Sequence, residues 1–428
     1  MTGTDAEGNK ATSWWSTALR VAAVDAIAIP SGLSSVLLAA RLTARPAVLL
    51  GCGVLTTAAV LGGTLSIVVP RRSRSRRTAA VAVTAVAATA LLVTLIPGAL
   101  EPTRPVSSSL YWDLPTGSRL QYVMKKGAAA GGKPPVIFLH GGPGIADLES
   151  DLRYFAPLAA EGYDVYAYAQ LGAGGSSRLA DPRGYGRSRD VADLEAIRKR
   201  LDAASIVLIG HSYGGGLAAA YAARFPDRVA GLVLISPMPL DPQDRSPRRA
   251  TSRLDTWQAL RLHRAVLAPR SLVGYLLLQS NPLAAHAFMG DTEADHRNDR
   301  VLELSEPALH CAGTGPHPTT SQSGFYAMQY PQSLGAPRVP DLRAQLKAVP
   351  APTVIVKGAC DYLSWGSALD YRRALSNSSL VYLRGAGHNA YQDCPDEVLK
   401  AVRELLGHQR VSSRYEQVDP PADYEGPA

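Results

Sequence analysis

Apolar and polar positions change their pattern twice along this 428-residue chain. After a polar tail (1–16), residues 47–70 carry no charge over 24 positions, and residues 78–100 carry none over 23. A helix rises 1.5 Å per residue, so about 20 residues cross the roughly 30 Å hydrocarbon core of a bilayer. Both runs are long enough, and neither shows the polar stripe of a soluble core helix. Both are expected to span. Residues 18–40 are also apolar but contain Asp25 and Pro30, and a carboxylate at mid-bilayer is costly. They read as a third span or as an amphipathic surface helix. A transmembrane region of two to three helices is therefore expected over 17–100.

The pattern then shortens. A Pro- and Ser-rich linker (101–110) precedes apolar runs at 134–140, 164–170, 205–210, 231–236, 353–358 and 379–385. Each is short and rich in Val, Ile, Leu or Tyr. Helical patterns at 188–203 and 213–225 lie between some of them. Continuous apolar strands separated by helices imply an α/β fold, a mostly parallel sheet covered on both faces. Its core is expected over 101–240 and 351–410. The intervening 241–350 has no clear strand, only helical patterns at 251–266 and 270–280, and reads as a helical cap inserted between two strands. Residues 411–428 combine acids and prolines and are expected to be disordered.

Charge sharpens this division. The net charge is +8, but residues 1–100 hold nine basic and three acidic residues, so +6 of it lies beside the apolar runs. There it marks membrane topology and argues against a nucleic-acid-binding face. The loop Arg71–Arg77 holds five arginines in seven residues and is expected to be cytoplasmic. The following helix would then run outward and put the α/β domain outside the cytoplasm. Three crossings would leave the N-terminus inside. Successive apolar runs do not resemble a cleaved signal peptide. The partner implied is the lipid bilayer. The cysteines Cys52, Cys311, Cys360 and Cys394 form no metal-ligand pattern, and no metal is expected. Cys360 and Cys394 flank two candidate loops and are the preferred disulfide pair, with free thiols as the alternative.

Gly210-His211-Ser212-Tyr213-Gly214 matches G-x-S-x-G, with an apolar run before it and a helical pattern after it. That context makes Ser212 a candidate nucleophile on a strand-to-helix turn. A serine hydroxyl needs a base. His388 follows the run at 379–385 and Asp361 follows the run at 353–358, so both sit at carboxyl ends of expected strands. His388 would take and return the proton, and Asp361 would orient the imidazole. An oxyanion needs backbone donors. Tyr213 N–H is the first candidate. The turn His140-Gly141-Gly142-Pro143-Gly144 offers Gly142 N–H as the second, with Gly141 next.

HGGPG at 140–144, the glycine-rich stretch 167–179, GHSYGG at 210–215 and the pair Asp361/His388 together resemble the prolyl aminopeptidase (proline iminopeptidase) family of α/β-hydrolases. The resemblance covers roughly 107–410. It implies an α/β-hydrolase fold with a helical cap, release of N-terminal residues such as proline from peptides, and no cofactor. Two departures stand out. The family's DQRG reads Ala169-Gln170-Leu171-Gly172 here. The cap glutamates that hold the substrate amine are matched only by position, by Glu303 and Glu306, with Glu293 and Asp295 as alternatives. The expectation is thus a membrane-anchored serine hydrolase acting on a small peptide, with an esterase or amidase on the same triad as the alternative. A non-catalytic membrane module is disfavoured by the intact Ser212, Asp361 and His388 set. The sequence does not indicate an oligomeric state.

Overall fold

The computed structural model describes residues 5–68, 110–128, 132–312 and 322–427, with Thr78, Val81, Ile96 and Pro97 as isolated positions. The apolar run 78–100 and the linker before residue 110 fall almost wholly outside the described residues. The chain divides into two compact units, Met1–Leu100 with Leu267–Gly290, and Glu101–Val266 with Asp291–Ala428.

The first unit is helical. Helix α1 (Asp5–Ala40) and helix α2 (Pro46–Val68) pack on each other, and both contain a window long and apolar enough to cross a membrane. The expected polar tail is helical from Asp5, because no proline interrupts the sequence before Pro30 and a nucleated helix propagates cheaply. Small residues line the α1–α2 contact. A Cβ on Gly53 would meet Val36 Cγ2 at 2.6 Å, and a Cβ on Gly32 would strike Thr57. Thr56 Oγ1 donates to Ser35 Oγ at 3.0 Å, and Ser35 Oγ donates to the Cys52 carbonyl at 3.3 Å. Small residues and hydroxyl bonds form the seam, and Leu38 and Leu55 are exposed outside it.

Two further helices, Pro269–Ser280 and Pro282–Phe288, belong to this unit. Ser280 Oγ donates to the Leu37 carbonyl at 3.2 Å, and Asn281 Nδ2 donates to the Ala40 carbonyl at 2.7 Å. The single cap expected over 241–350 is therefore divided. The carbonyls at the end of α1 have no intrahelical partner and accept these side chains.

The second unit is built on an eight-stranded sheet in the order β1-β2-β5-β3-β6-β7-β9-β10. Its parallel part comprises β3 (Val136–Leu139), β5 (Val165–Tyr168), β6 (Ile206–His211), β7 (Val229–Ile235), β9 (Thr353–Gly358) and β10 (Ser378–Leu383). β3, β5, β6 and β9 are buried along their whole length, as their unbroken apolar runs require. Two antiparallel strands, the edge strand β1 (Leu110–Asp113) and its neighbour β2 (Arg119–Lys125), were not apparent in the sequence. A further short pair joins β4 (Ile145–Ala146) to β8 (Gln322–Ser323).

The expected disorder of 411–428 is corrected. Tyr415 N–H donates to the Leu380 carbonyl at 2.7 Å, and Trp365 Nε1–H donates to the Val418 carbonyl at 2.7 Å. The rings of Tyr415 and Tyr424 pack on Trp365 at 5.4 and 5.3 Å. Two tyrosines supply the apolar anchors that the acids and prolines lack, and β10 is an edge strand whose free backbone groups need covering.

Candidate active site

Ser212 lies between β6 and the helix Tyr213–Arg224, with φ 52° and ψ −115°. Left-handed backbone at a non-glycine residue is strained and persists only where its surroundings hold it. Here Ser212 N–H donates to the Ile235 carbonyl at 2.9 Å, and Met238 N–H donates to the Ser212 carbonyl at 3.0 Å. The glycine at 214 is required by close approach, since a Cβ there would strike the Leu139 carbonyl. The helix therefore begins directly against β3.

Asp361 follows β9, and His388 follows β10, the neighbouring strand. His388 Nδ1–H donates to Asp361 Oδ1 at 2.8 Å. Asp361 is fully buried, and His388 is 3% exposed. Burial alone would raise the Asp361 carboxyl. The Lys357 ammonium, 2.8 Å from Oδ2, together with His388, instead holds it well below the usual carboxylate range. Burial pulls Lys357 below the usual lysine range, opposed by Asp361. Lys357 Nζ also donates to the Leu363 carbonyl at 2.7 Å. The sequence reading missed Lys357. Its signal was a cation inside an otherwise apolar strand, four residues before the acid.

Tyr362 was also missed. Its hydroxyl lies 3.2 Å from His388 Nε2 and also bonds the Ser212 side chain. With Nδ1 protonated toward Asp361, Nε2 is the acceptor and the phenol the donor. The Tyr362 ring packs on the imidazole at 4.3 Å. The phenol therefore stands at the nitrogen that a nucleophilic serine would use.

Two neutral histidines brace the surroundings. Burial lowers His211 to about 3 and His140 to about 4. His211 Nε2–H donates to the His388 carbonyl at 3.1 Å. His140 Nε2 accepts from Gln170 N–H at 2.9 Å, which leaves its Nδ1–H to donate to the Gly141 carbonyl at 2.8 Å. Gln170 thus ties the HGGPG turn to the segment after β5. Gly142 has φ +114°, and a Cβ there would strike the Gly144 nitrogen. A Cβ on Gly141 would lie 3.3 Å from Ser212 Cβ, so this turn borders the serine. The Tyr213 N–H, first in its helix, has no intrahelical acceptor.

The expected Cys360–Cys394 pairing is corrected. Cys360 bonds Cys311, and Cys394 is free. The chain leaving the cap returns to the loop that carries Asp361, bringing Cys311 to it. Beside this bridge, His310 Nδ1 lies 2.6 Å from Asp393 and its Nε2 lies 3.0 Å from Glu306. Burial opposes charge on His310, but these two carboxylates raise it to about 9. Asp393 also accepts from Gly387 N–H at 2.7 Å, next to His388.

The proposed amine ligands are engaged elsewhere. Glu303 is exposed and pairs with Arg300 at 2.6 Å, and Glu306 is committed to His310. Glu293 pairs with Arg297 at 2.8 Å. Asp295 pairs with Arg178 at 2.9 Å and accepts from Phe325 N–H at 2.7 Å.

A family described as alpha/beta hydrolase fold matches residues 134–394. The chain belongs to the alpha/beta hydrolase family. Within it, the chain is 30% identical over 298 residues to a (lyso)-N-acylphosphatidylethanolamine lipase of Bos taurus, covering 64% of this chain and 79% of that one. It is 27% identical over 278 residues to a proline iminopeptidase of Saccharolobus solfataricus, covering 63% and 84%. The crystal structure of VinJ superposes with a TM-score of 0.52 at 20% identity, covering 72% of this hydrolase and all of that chain. Hydrolase family membership thus stands on residues 134–394 and the parallel sheet they build.

Proposed function

We propose that this hydrolase is a membrane-anchored serine hydrolase that cleaves an acyl ester or amide through Ser212. The observation that carries the reading is the strained Ser212 turn beside a buried His388–Asp361 pair on adjacent strand ends. His388 Nε2 takes the Ser212 proton as Oγ attacks the carbonyl carbon. The oxyanion is held by the N–H groups of Tyr213 and Gly142, with Gly141 next. Each such donor is worth about 3–4 kcal/mol of barrier. The imidazolium, stabilised by Asp361, returns the proton to the leaving group, and water hydrolyses the acyl-enzyme by the same route. Tyr362 must yield Nε2 before the first proton transfer.

The finer reading is an aminopeptidase of the prolyl type. The HGGPG turn and the likeness to proline iminopeptidases support it. A second reading, an esterase or amidase on the same triad, is favoured by one observation: Glu303 and Glu306 already have partners. Proline β-naphthylamide and p-nitrophenyl acetate separate the two. Rapid ester turnover with none of the amide would reject the peptidase.

The anchoring follows from counting crossings. With α1 and α2 both spanning, the turn after Ala40 and the chain after Val68 lie on opposite faces. Asn281 bonds Ala40, so residue 281 shares the face of that turn. Reaching it requires one more crossing, which the uncharged run 78–100 is long enough to supply. Arg71–Arg77 then lies in the cytoplasm and the hydrolase domain outside. The Cys311–Cys360 disulfide suits an oxidising compartment. A reporter fused after residue 101 should be active only outside, and activity only in the cytoplasm would reject this topology.

A further inference from the structure

The helix Thr256–Val266 buries a single side chain, Leu262, and packs on the helix Asp291–Ser305. Trp257, Leu260, Arg261 and Arg264 recur at i, i+3, i+4 and i+7, so they share one face. That face is open: Trp257 is 71% exposed and Leu260 is 56% exposed. Neither Arg261 nor Arg264 has an acidic partner among the described residues. Residues 245–270 hold seven arginines and one acid, Asp255. Only Leu267, itself exposed, and Ala268 separate this helix from the helix Pro269–Ser280, which packs on α1.

A tryptophan and a leucine interleaved with unpaired arginines do not suit water alone. The rings and methyls favour the acyl boundary, while the guanidinium groups favour anionic headgroups and can snorkel to them. A protein partner would not explain the covalent continuity with helices that pack on a membrane-type hairpin. We propose that the outward face of Thr256–Val266 lies on an anionic lipid surface, so that the hydrolase draws acyl substrates from the bilayer it is anchored in. This rests on the serine-hydrolase and topology readings above and names the substrate class: amphiphiles resident in the membrane.

The test uses the full chain in phosphatidylcholine vesicles with and without phosphatidylglycerol. Leu260→Cys, on a Cys52→Ser, Cys394→Ser background, carries a nitrobenzoxadiazole label. Quenching by brominated lipid with protection from iodide is expected, stronger with phosphatidylglycerol. Quenching by iodide alone overturns the proposal. So does shielding from both quenchers, which would mean that a protein covers the face. In parallel, Trp257→Glu with Arg264→Glu should lower turnover of vesicle-borne p-nitrophenyl palmitate about tenfold, while p-nitrophenyl acetate changes less than about twofold. An equal effect on both esters, or on neither, overturns it. Failure of the serine-hydrolase reading shows separately, as acetate turnover that survives Ser212→Ala.

Discussion

At His388, the two ring nitrogens face different tasks, and each can be tested by one substitution. Nδ1 is fixed by Asp361, so Asp361→Asn should lower kcat about 10⁴-fold by favouring the wrong tautomer, and should also lower Tm by leaving the buried Lys357 ammonium without its carboxylate. Nε2 is held by the Tyr362 hydroxyl. Tyr362→Phe removes a competitor of Ser212 worth about 1 kcal/mol, so acylation by p-nitrophenyl acetate should quicken a few-fold in pre-steady-state traces. A loss of activity would instead put the phenol in the proton path. His310 offers a stability test. Its value is raised to about 9, so its contribution is complete below its ordinary value of about 6.5 and is lost as pH rises through about 9. His310→Gln leaves the buried Asp393 carboxylate without its cation and should cost on the order of 3 kcal/mol. The gap in Tm from wild type should be widest near pH 6 and narrow above pH 9.

Among the elements, what could be read from the sequence followed burial. β3, β6 and β9 announced themselves because both faces are covered, and Ser212 and Asp361 were legible as the polar residues ending such runs. β1 and β2 were not legible, because strands with exposed positions lack a continuous apolar run. Lys357 hid inside an apolar strand because its charge is met by a carboxylate four residues on. The tail was misread because two tyrosines outweigh its acids once an edge strand is there to cover. The cysteine pairing was misread because it depends on where the cap returns, which no local pattern records. That bridge closes a loop of 49 residues, and the chain-entropy estimate for such a loop is about 4 kcal/mol. Cys311→Ser should lower Tm clearly, and reductant should lower the wild-type Tm toward the variant's while leaving the variant unchanged.

The whole molecule joins a helical unit, two of whose helices are long and apolar enough to cross a membrane, to an α/β-hydrolase unit, and the chain passes between them more than once. The cap is shared between them: Leu267–Gly290 clusters with the N-terminal helices, while the rest of 241–350 clusters with the sheet. The sequence analysis did not draw this division, although residues 269–288 hold one charged side chain, Arg270, against seven in 291–305. Asn281→Ala, which removes the bond to Ala40, should loosen that attachment and increase hydrogen exchange in 269–288 without altering exchange in β6. The catalytic expectations depend on Ser212 being the nucleophile. The most direct measurement is mass-spectrometric mapping of a fluorophosphonate adduct on the full-length protein in membranes. The adduct is expected on the peptide containing Ser212 and should vanish in Ser212→Ala, which should also lose ester turnover while unfolding at an unchanged temperature. An adduct that persists in that variant, or turnover by a wild-type protein that never labels, would contradict the account.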